Sequence, residues 1–292
     1  MILQHFKLQR VFLTNLLSLT FSCSGVIGKP LSSALAQDVV RSNTLPSAYW
    51  DAVEDARIAE PQEVFRDLSA ITPHNPKLIW DEHGRVLVVI WTTWKAYARN
   101  VGNPMVLTRD VWVTVAPDLQ NFCQNYIPTQ TVPLATRLNQ LLGLPPDTVD
   151  DATHRQIVEI WVDPKWLFRP SPDPEITDHE AEFSFRTPNE FISVSPSYQR
   201  WFYIQYDQRY QHNGQPIIRN STEISNTLPY PWTQLGYTYD WGNPGDWDRI
   251  DPNRPEEVGL SEFVIRQWSP IFVKASQSGE DYCSLKEVQQ KE

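Results

Sequence analysis

The apolar positions along this chain fall into short runs with two different periods. From Val86 to Trp91 the sequence VLVVIW is apolar at every position. A strand with one buried face alternates, so an unbroken apolar run predicts a strand in a sheet interior with both faces covered. The residues before it predict a hairpin. Leu78 to Trp80 form one arm, Asp81-Glu82-His83-Gly84 the polar turn with glycine at its end, and Arg85 to Trp91 the other arm. LTRDVWVTVA, Leu107 to Ala116, alternates and predicts another strand, as does RQIVEIWV, Arg155 to Val162. A strand is also expected near Glu182, and LGYTYDW, LSEFVIRQW and PIFVKA predict three more towards the C-terminus.

The helical period is clearest in TVPLATRLNQLLGLPP. Leu134, Leu138, Leu141 and Leu142 lie at i, i+4, i+7 and i+8, one face of a helix. Thr131 suits its cap and Pro133 its first turn, while Gly143 and Pro145 stop it. Pro117-Asp118 opens a shorter helix, DLQNFCQNY. Residues 37–75 read as a lead-in with two helical pieces broken at Pro61. PSYQRWFYIQYDQRYQ fits a helix starting after Pro196 or a strand, and its pattern leaves both open. The segment 164–179 is a proline-ruled loop. Strands and helices mix without strict βαβ alternation. The expected class is therefore α+β, a mostly antiparallel sheet with a few short helices, loop- and Pro-rich, forming a single domain over 37–292.

The first 36 residues change the compartment. His5, Lys7 and Arg10 make a basic start, VFLTNLLSLTF from Val11 to Phe21 is apolar, and Ala34-Leu35-Ala36 precedes Gln37. That is the layout of a secretory signal peptide cleaved after Ala36. A lipoprotein reading at Cys23 fits less well, because the expected leucine sits one place early, at Leu19. The expected location is secreted or periplasmic, with no integral membrane segment after cleavage. The first 36 residues hold three basic residues and no acid, so removing them takes the formal net charge from −10 to −13. No cluster of Lys and Arg follows, which argues against nucleic acid as a partner. A small molecule or a glycan remains as the partner class.

Cleavage also leaves two cysteines, Cys123 and Cys283. In an exported chain they most simply form one disulfide, the alternative being two separate buried thiols. Twenty-four prolines against 11 glycines, with 12 tryptophans, indicate an ordered chain with stiff connections.

Candidate chemistry concentrates near the C-terminus. In YPWTQLGYTYDWGNPGDWDRID, Tyr230 to Asp251, the tip offers Asp240, Asn243, Asp246, Asp248 and Asp251 as oxygen ligands around Gly242 and Gly245. Calcium takes six to eight such oxygens, and the same residues also make ordinary turns. Trp232, Trp241 and Trp247 are the candidate ligand-binding platform, with burial as the competing fate of each. Glu262 is a carboxylate inside an apolar run, where it must face solvent or have another reason to be there. Simple alternation turns it outward; a catalytic role puts it in a cleft with a perturbed pKa.

The stretch GLSEFVIRQWSPIFVKA, Gly259 to Ala275, resembles the final strand pair of ADP-ribosyltransferase-type NAD-consuming enzymes, in which a glutamate opens an apolar strand that is followed by a turn and another strand. The resemblance spans Arg219 to Tyr282. It implies that Glu262 binds the nicotinamide ribose, that Ser221 in Asn220-Ser221-Thr222-Glu223 supports the NAD pocket, and that Arg219 or Arg109 is the accompanying arginine. Leu260 stands where that family carries an acid or amide two residues before the glutamate, a departure that favours hydrolysis of NAD over transfer to a protein side chain. His179, between Asp178 and Glu180, is the one histidine with a local reason to act as a base; the bland reading is a solvated loop residue. There is no G-x-S-x-G elbow, no dinucleotide or P-loop glycine pattern and no metal-spaced histidine pair. The leading expectation is an exported binding or cell-envelope protein; the alternative is an exported hydrolase or NAD-consuming enzyme using Glu262.

Overall fold

The all-apolar run VLVVIW becomes the central strand of the molecule. In the computed structural model, which describes residues 45–126, 132–147, 151, 154–185, 194–212, 214–217, 219, 228–242, 255 and 257–284, β1 (Val86–Thr92) pairs over its whole length with β4 (Gln156–Val162), Val86 facing Val162 and Thr92 facing Gln156. On its other side it pairs with β3 (Val111–Val115), Val89 facing Thr114. The sheet has seven strands and every pairing is antiparallel. From one edge the order is β2 (Pro104–Val106), β11 (Pro270–Gln277), β4, β1, β3, β10 (Phe263–Ile265) and β5 (Leu167–Phe168). The class is α+β.

Each face of β1 has its own core. Val86 and Val88 pack with Val113, Val115, Ile160 and Phe263; Leu87, Val89 and Trp91 pack on the opposite face with Leu119, Phe122, Leu138 and Tyr282. Double coverage is why no position from 86 to 91 is polar. The second face is covered by α2 (Ala116–Tyr126), α3 (Leu134–Leu141) and α5 (Gly279–Ser284). Beside them stand α1 (Ser47–Asp55) and α4 (Pro196–Tyr210), which share an aromatic core with Trp232 and Trp241. The segment 196–211, ambiguous in sequence, is therefore a helix through Tyr210. Ser195 Oγ accepts from the Tyr198 amide at 3.2 Å and Pro196 sits in the first turn. Two short ribbons complete the set: β6 (Gln211–His212) with β7 (Gln215–Pro216), and β8 (Tyr237–Tyr239) with β9 (Val258–Ser261).

Three sequence expectations give way. No strand forms at 180–185; instead the chain before it lies against residues 68–71, the Leu68 amide donating to His179 O at 2.9 Å and the Ile71 amide to Ile176 O at 2.6 Å. The Glu180 carbonyl is taken by the Arg169 guanidinium and not by a ladder. The lead-in forms one α-helix, α1, and after Pro61 only a single 3₁₀ turn, Pro61–Glu63. The first arm of the expected 78–91 hairpin is reduced to one bridge, Trp80 to Val86, with Gly84 in the turn at φ +72°. The loop 164–179 is a strap. Arg169, wholly buried, anchors it by donating to Glu180 O at 2.6 Å and Asp178 O at 3.0 Å, with Asp178 Oδ1 at 3.3 Å.

Cys123 on α2 and Cys283 on α5 are joined in a disulfide, Cα atoms 4.9 Å apart. The bond closes a loop of 160 residues. In the chain-entropy account, closing a loop of that length stabilises by on the order of 4–5 kcal/mol. Tyr282 Oη donates to Ala116 O at 3.1 Å beside it, so the C-terminal helix is held by packing as well. Reduction, or the pair Cys123→Ala and Cys283→Ala, is expected to lower the melting temperature by about 10 °C, at roughly 2–4 °C per kcal/mol for a chain of this size. A calorimetric scan with and without reductant checks this; a shift of about a degree would show that the bond does not constrain the unfolded chain.

Candidate functional site

The site is set up by a buried ion pair. Arg137 on α3 and Asp240 at the end of β8 meet in a two-pronged contact, Nη1 to Oδ1 at 2.9 Å and Nη2 to Oδ2 at 2.6 Å, with both side chains almost fully buried. The guanidinium also lies 5.0 Å from the Phe122 ring. Three further bonds knit the same seam: the Trp241 amide to Gln140 O at 3.2 Å, Thr238 Oγ1 to Leu141 O at 2.7 Å, and the Leu260 amide to Thr238 Oγ1 at 2.9 Å. The contact is so close at Gly259 that a Cβ there would lie 2.5 Å from Leu141 O, which only glycine avoids. The turn 142–144 is thereby fixed opposite Thr238 and Tyr239.

Between those two edges and the sheet lies a cavity of about 300 Å³. Its floor is the sheet face carrying Val89, Trp91, Trp112 and Thr114; its walls are Leu142 to Leu144, Tyr230 to Trp232, Thr238 and Tyr239. Two charged side chains line it, Glu262 and Arg209. Glu262 sits at the break between β9 and β10, its amide donating to Gly236 O at 2.9 Å. β10 pairs Phe263 with Val113 and Val264 with Trp112, so extending that register by one residue sets Glu262 opposite Thr114. The residue is half-buried overall, but its Oε2 is shut off from solvent and has no hydrogen-bond partner among the described residues. The same holds for Thr114 Oγ1 and Trp232 Nε1. Three buried polar atoms of one cavity lining are thus unsatisfied, each at a cost that native interiors seldom carry without a partner.

Burial governs the electrostatics. Removal from water pushes the Glu262 carboxyl up from its ordinary 4.5 to about 8, with the Arg209 charge pulling the other way. Burial in turn draws Arg209 below its ordinary value, opposed by Glu262. Arg209, near the end of α4, has its guanidinium 4.5 Å from the Trp112 ring and 5.3 Å from the Trp232 ring. Nη1 donates to Gln205 O at 3.1 Å and Gln205 Oε1 at 2.8 Å. Among the described residues no carboxylate lies within ion-pair distance of it, and Nε and Nη2 have no partner.

The residues singled out in the sequence scatter. Glu262 and Trp232 line the cavity. Glu262 is not turned to solvent as strand alternation expects, because the face it shares with Val264 and Trp112 is itself covered, by α4 and by Trp232. Trp241 does not reach the cavity: it is buried against Tyr49, rings 5.4 Å apart and edge-on, and its indole donates to Leu144 O at 2.9 Å. Arg219 is turned to α1, bonded to Asp51 Oδ1 at 2.9 Å and Ser47 O at 3.0 Å, and Arg109 lies 5.6 Å from the Trp94 ring; neither lines the cavity. Of the expected calcium ligands, Asp240 has both oxygens committed to Arg137, with Oδ1 also accepting from the Gly242 amide. Asn243, Asp246, Asp248 and Asp251 lie outside the described residues, as do Ser221, Trp247 and the expected signal segment 1–36. No group of three or more potential metal ligands occurs among the described residues. His179, at the end of the strap, is tied to the segment 68–71, Nδ1 2.7 Å from Leu68 O. Arg209 went unnoticed in the sequence. Its signal was weak: one of two arginines in a helix whose apolar residues show almost no preferred face.

Comparison of the chain with family models, with curated proteins and with solved structures found no match.

Two outcomes follow from these charges. Arg137→Met leaves Asp240 buried without its counter-ion and is expected to cost about 3–5 kcal/mol in urea unfolding, whereas a surface pair such as Arg66 with Glu180 should cost under about 1 kcal/mol. For Glu262 the folded pKa is raised, so the folded state keeps a proton that the unfolded chain loses. Its contribution is fully present below about 4.5 and is lost as pH rises through about 8. Glu262→Gln should therefore change the melting temperature little at pH 5 and raise it relative to wild type at pH 9; identical pH profiles for the two proteins would refute the burial of this carboxyl.

Proposed function

We propose that this is an exported small-molecule-binding protein, and that the cavity between the β1–β3 sheet face and the 230–239 segment is its binding site. The observation that carries the reading is the concentration of unsatisfied polar atoms, Glu262 Oε2, Thr114 Oγ1 and Trp232 Nε1, in the lining of one largely apolar cavity. Such a cavity, with a few converging polar groups, is the usual form of a small-ligand site. Export is supported by the sequence of the first 36 residues and by the disulfide. No helix among the described residues is long and apolar enough to cross a membrane.

A second reading, hydrolysis or NAD consumption with Glu262 as acid or base, has one observation in its favour: a carboxyl held near pKa 8 keeps its proton at neutral pH. It ranks second for two reasons. Arg219 is committed to α1. A glycosidase needs a second carboxylate, and among the described residues Glu262 is the one acid of the cavity lining. Hydrolysis of NAD that disappears in Glu262→Gln would reverse the order.

The binding reading is tested with a neutral fluorescent probe of apolar cavities, N-phenyl-1-naphthylamine, on the protein of residues 37–292. Leu142 lines the cavity and is half-buried, so Leu142→Trp adds bulk to the lining and leaves Arg209, Glu262 and Thr114 in the sequence. Wild type is expected to bind the probe and Leu142→Trp to lose at least tenfold in affinity with its fold intact by circular dichroism. Equal binding by both proteins would place the probe elsewhere and remove the cavity as the site.

A further inference from the structure

Arg209 is the group in the cavity that makes a statement about its ligand. Guanidinium nitrogens only donate, and so does the indole N–H of Trp232. The Arg209 charge is held against two tryptophan rings and fastened at Nη1 by Gln205, which leaves its Nε–Nη2 edge without a partner among the described residues. That edge presents two parallel N–H groups, the pattern a carboxylate accepts in a two-pronged bond. The acid nearest to hand is Glu262, and it stays out of ion-pair distance even though both residues line the same space. Elsewhere in this fold the Nη atoms of a buried arginine are both taken, those of Arg137 by Asp240 and those of Arg169 by the carbonyls of 178 and 180, with Nε of each left without a partner among the described residues. Much of the lining is aliphatic, Val89, Ile90, Leu119, Leu142, Leu144 and Pro231 among it, and the hydroxyl of Thr238 is taken by Leu141 O.

Resting on the binding reading above, we infer that the cavity takes a small apolar carboxylate, its head on the Nε–Nη2 edge of Arg209 and its hydrocarbon body among the tryptophans and leucines. The hydroxyl of Thr114 and the carboxyl of Glu262 supply the remaining bonds to the ligand head. A neutral ligand would leave the guanidinium without a counter-charge, and a cation would face it directly. Both are disfavoured where burial already weighs on the Arg209 charge.

The test holds the hydrocarbon constant and changes the head group. Binding of 2-naphthoate, 2-naphthamide and 2-naphthylmethylammonium to the residue 37–292 protein is measured by titration calorimetry at pH 6.5, for wild type, Arg209→Met and Leu142→Trp. The expected result is that wild type binds the carboxylate at least tenfold more tightly than the amide, with the ammonium weakest. Arg209→Met should bring the carboxylate down to the level of the amide and leave amide binding within about threefold, which also shows that the variant is folded. Leu142→Trp should weaken all three. The inference is overturned if the amide or the ammonium binds as well as the carboxylate, or if Arg209→Met keeps the preference. Binding without preference removes the carboxylate inference alone. No binding of any of the three, or binding indifferent to Leu142→Trp, removes the cavity reading as well.

Discussion

The contact between Arg137 and Asp240 organises the C-terminal half of this molecule. Either charge alone at that depth would be strongly unfavourable, so the two must arrive together and stay together. Their meeting brings α3 against the end of β8. The backbone then has little freedom: Thr238 bonds Leu141, Trp241 bonds Gln140, and Gly259 passes so close that no side chain fits. The turn after α3 and the segment 238–239 become the two facing edges of the cavity. The disulfide acts on the opposite side of the same layer, holding α5 to α2.

The fold contains the same ingredients twice in different states. Arg137 and Asp240 touch, and their charges cancel. Arg209 and Glu262 line one cavity and do not touch. The first arrangement is a finished structural joint, with every acceptor of Asp240 taken by α3 and the Gly242 amide. The second has spare capacity on both partners. Burial decides what each carboxyl becomes: beside its partner Asp240 is a committed acceptor, whereas Glu262, desolvated with its arginine at a distance, holds its proton to about pH 8. A polar group left unsatisfied inside a protein is costly, so a cavity lined by several invites a ligand that satisfies them together.

The aromatic content has a plain structural meaning for most of its members. Trp232, Phe202, Tyr210, Tyr49 and Trp241 form one packed cluster between α1, α4 and the segment leading to β8. Tyr210 is sealed in it, its hydroxyl bonding Ala56 O at 3.0 Å and Trp232 O at 2.6 Å. That cluster is what holds α4, and so Arg209, over the sheet. The strap 164–179 braces the far edge, with Tyr198 Oη bonding Arg169 O and Ser171 O at 2.9 and 2.7 Å.

By itself the sequence determined the features that depend on local pattern. Six consecutive apolar residues placed β1 in the sheet interior, the leucines at helical spacing with Pro and Gly at the ends marked α3, and the two cysteines that follow the expected signal segment marked the disulfide. A carboxylate inside an apolar run was enough to single out Glu262 as a residue needing an explanation. Tertiary structure decided everything that depends on which distant segments meet. Helix or strand at 196–211 was open because its aromatics fit either period, and packing against α1 and Trp232 chose the helix. The strand expected near Glu182 does not form, and the chain leading into it is tied instead to residues 68–71, over a hundred positions away. Asp240, an apparent turn carboxylate, became half of a buried ion pair because α3 brought Arg137 to it. Arg209 became a site residue only because two tryptophans from separate elements receive its charge while the nearest acid stays out of reach. Periodicity reports which face of an element is buried; it carries no information about which unpaired charge is left facing an empty space.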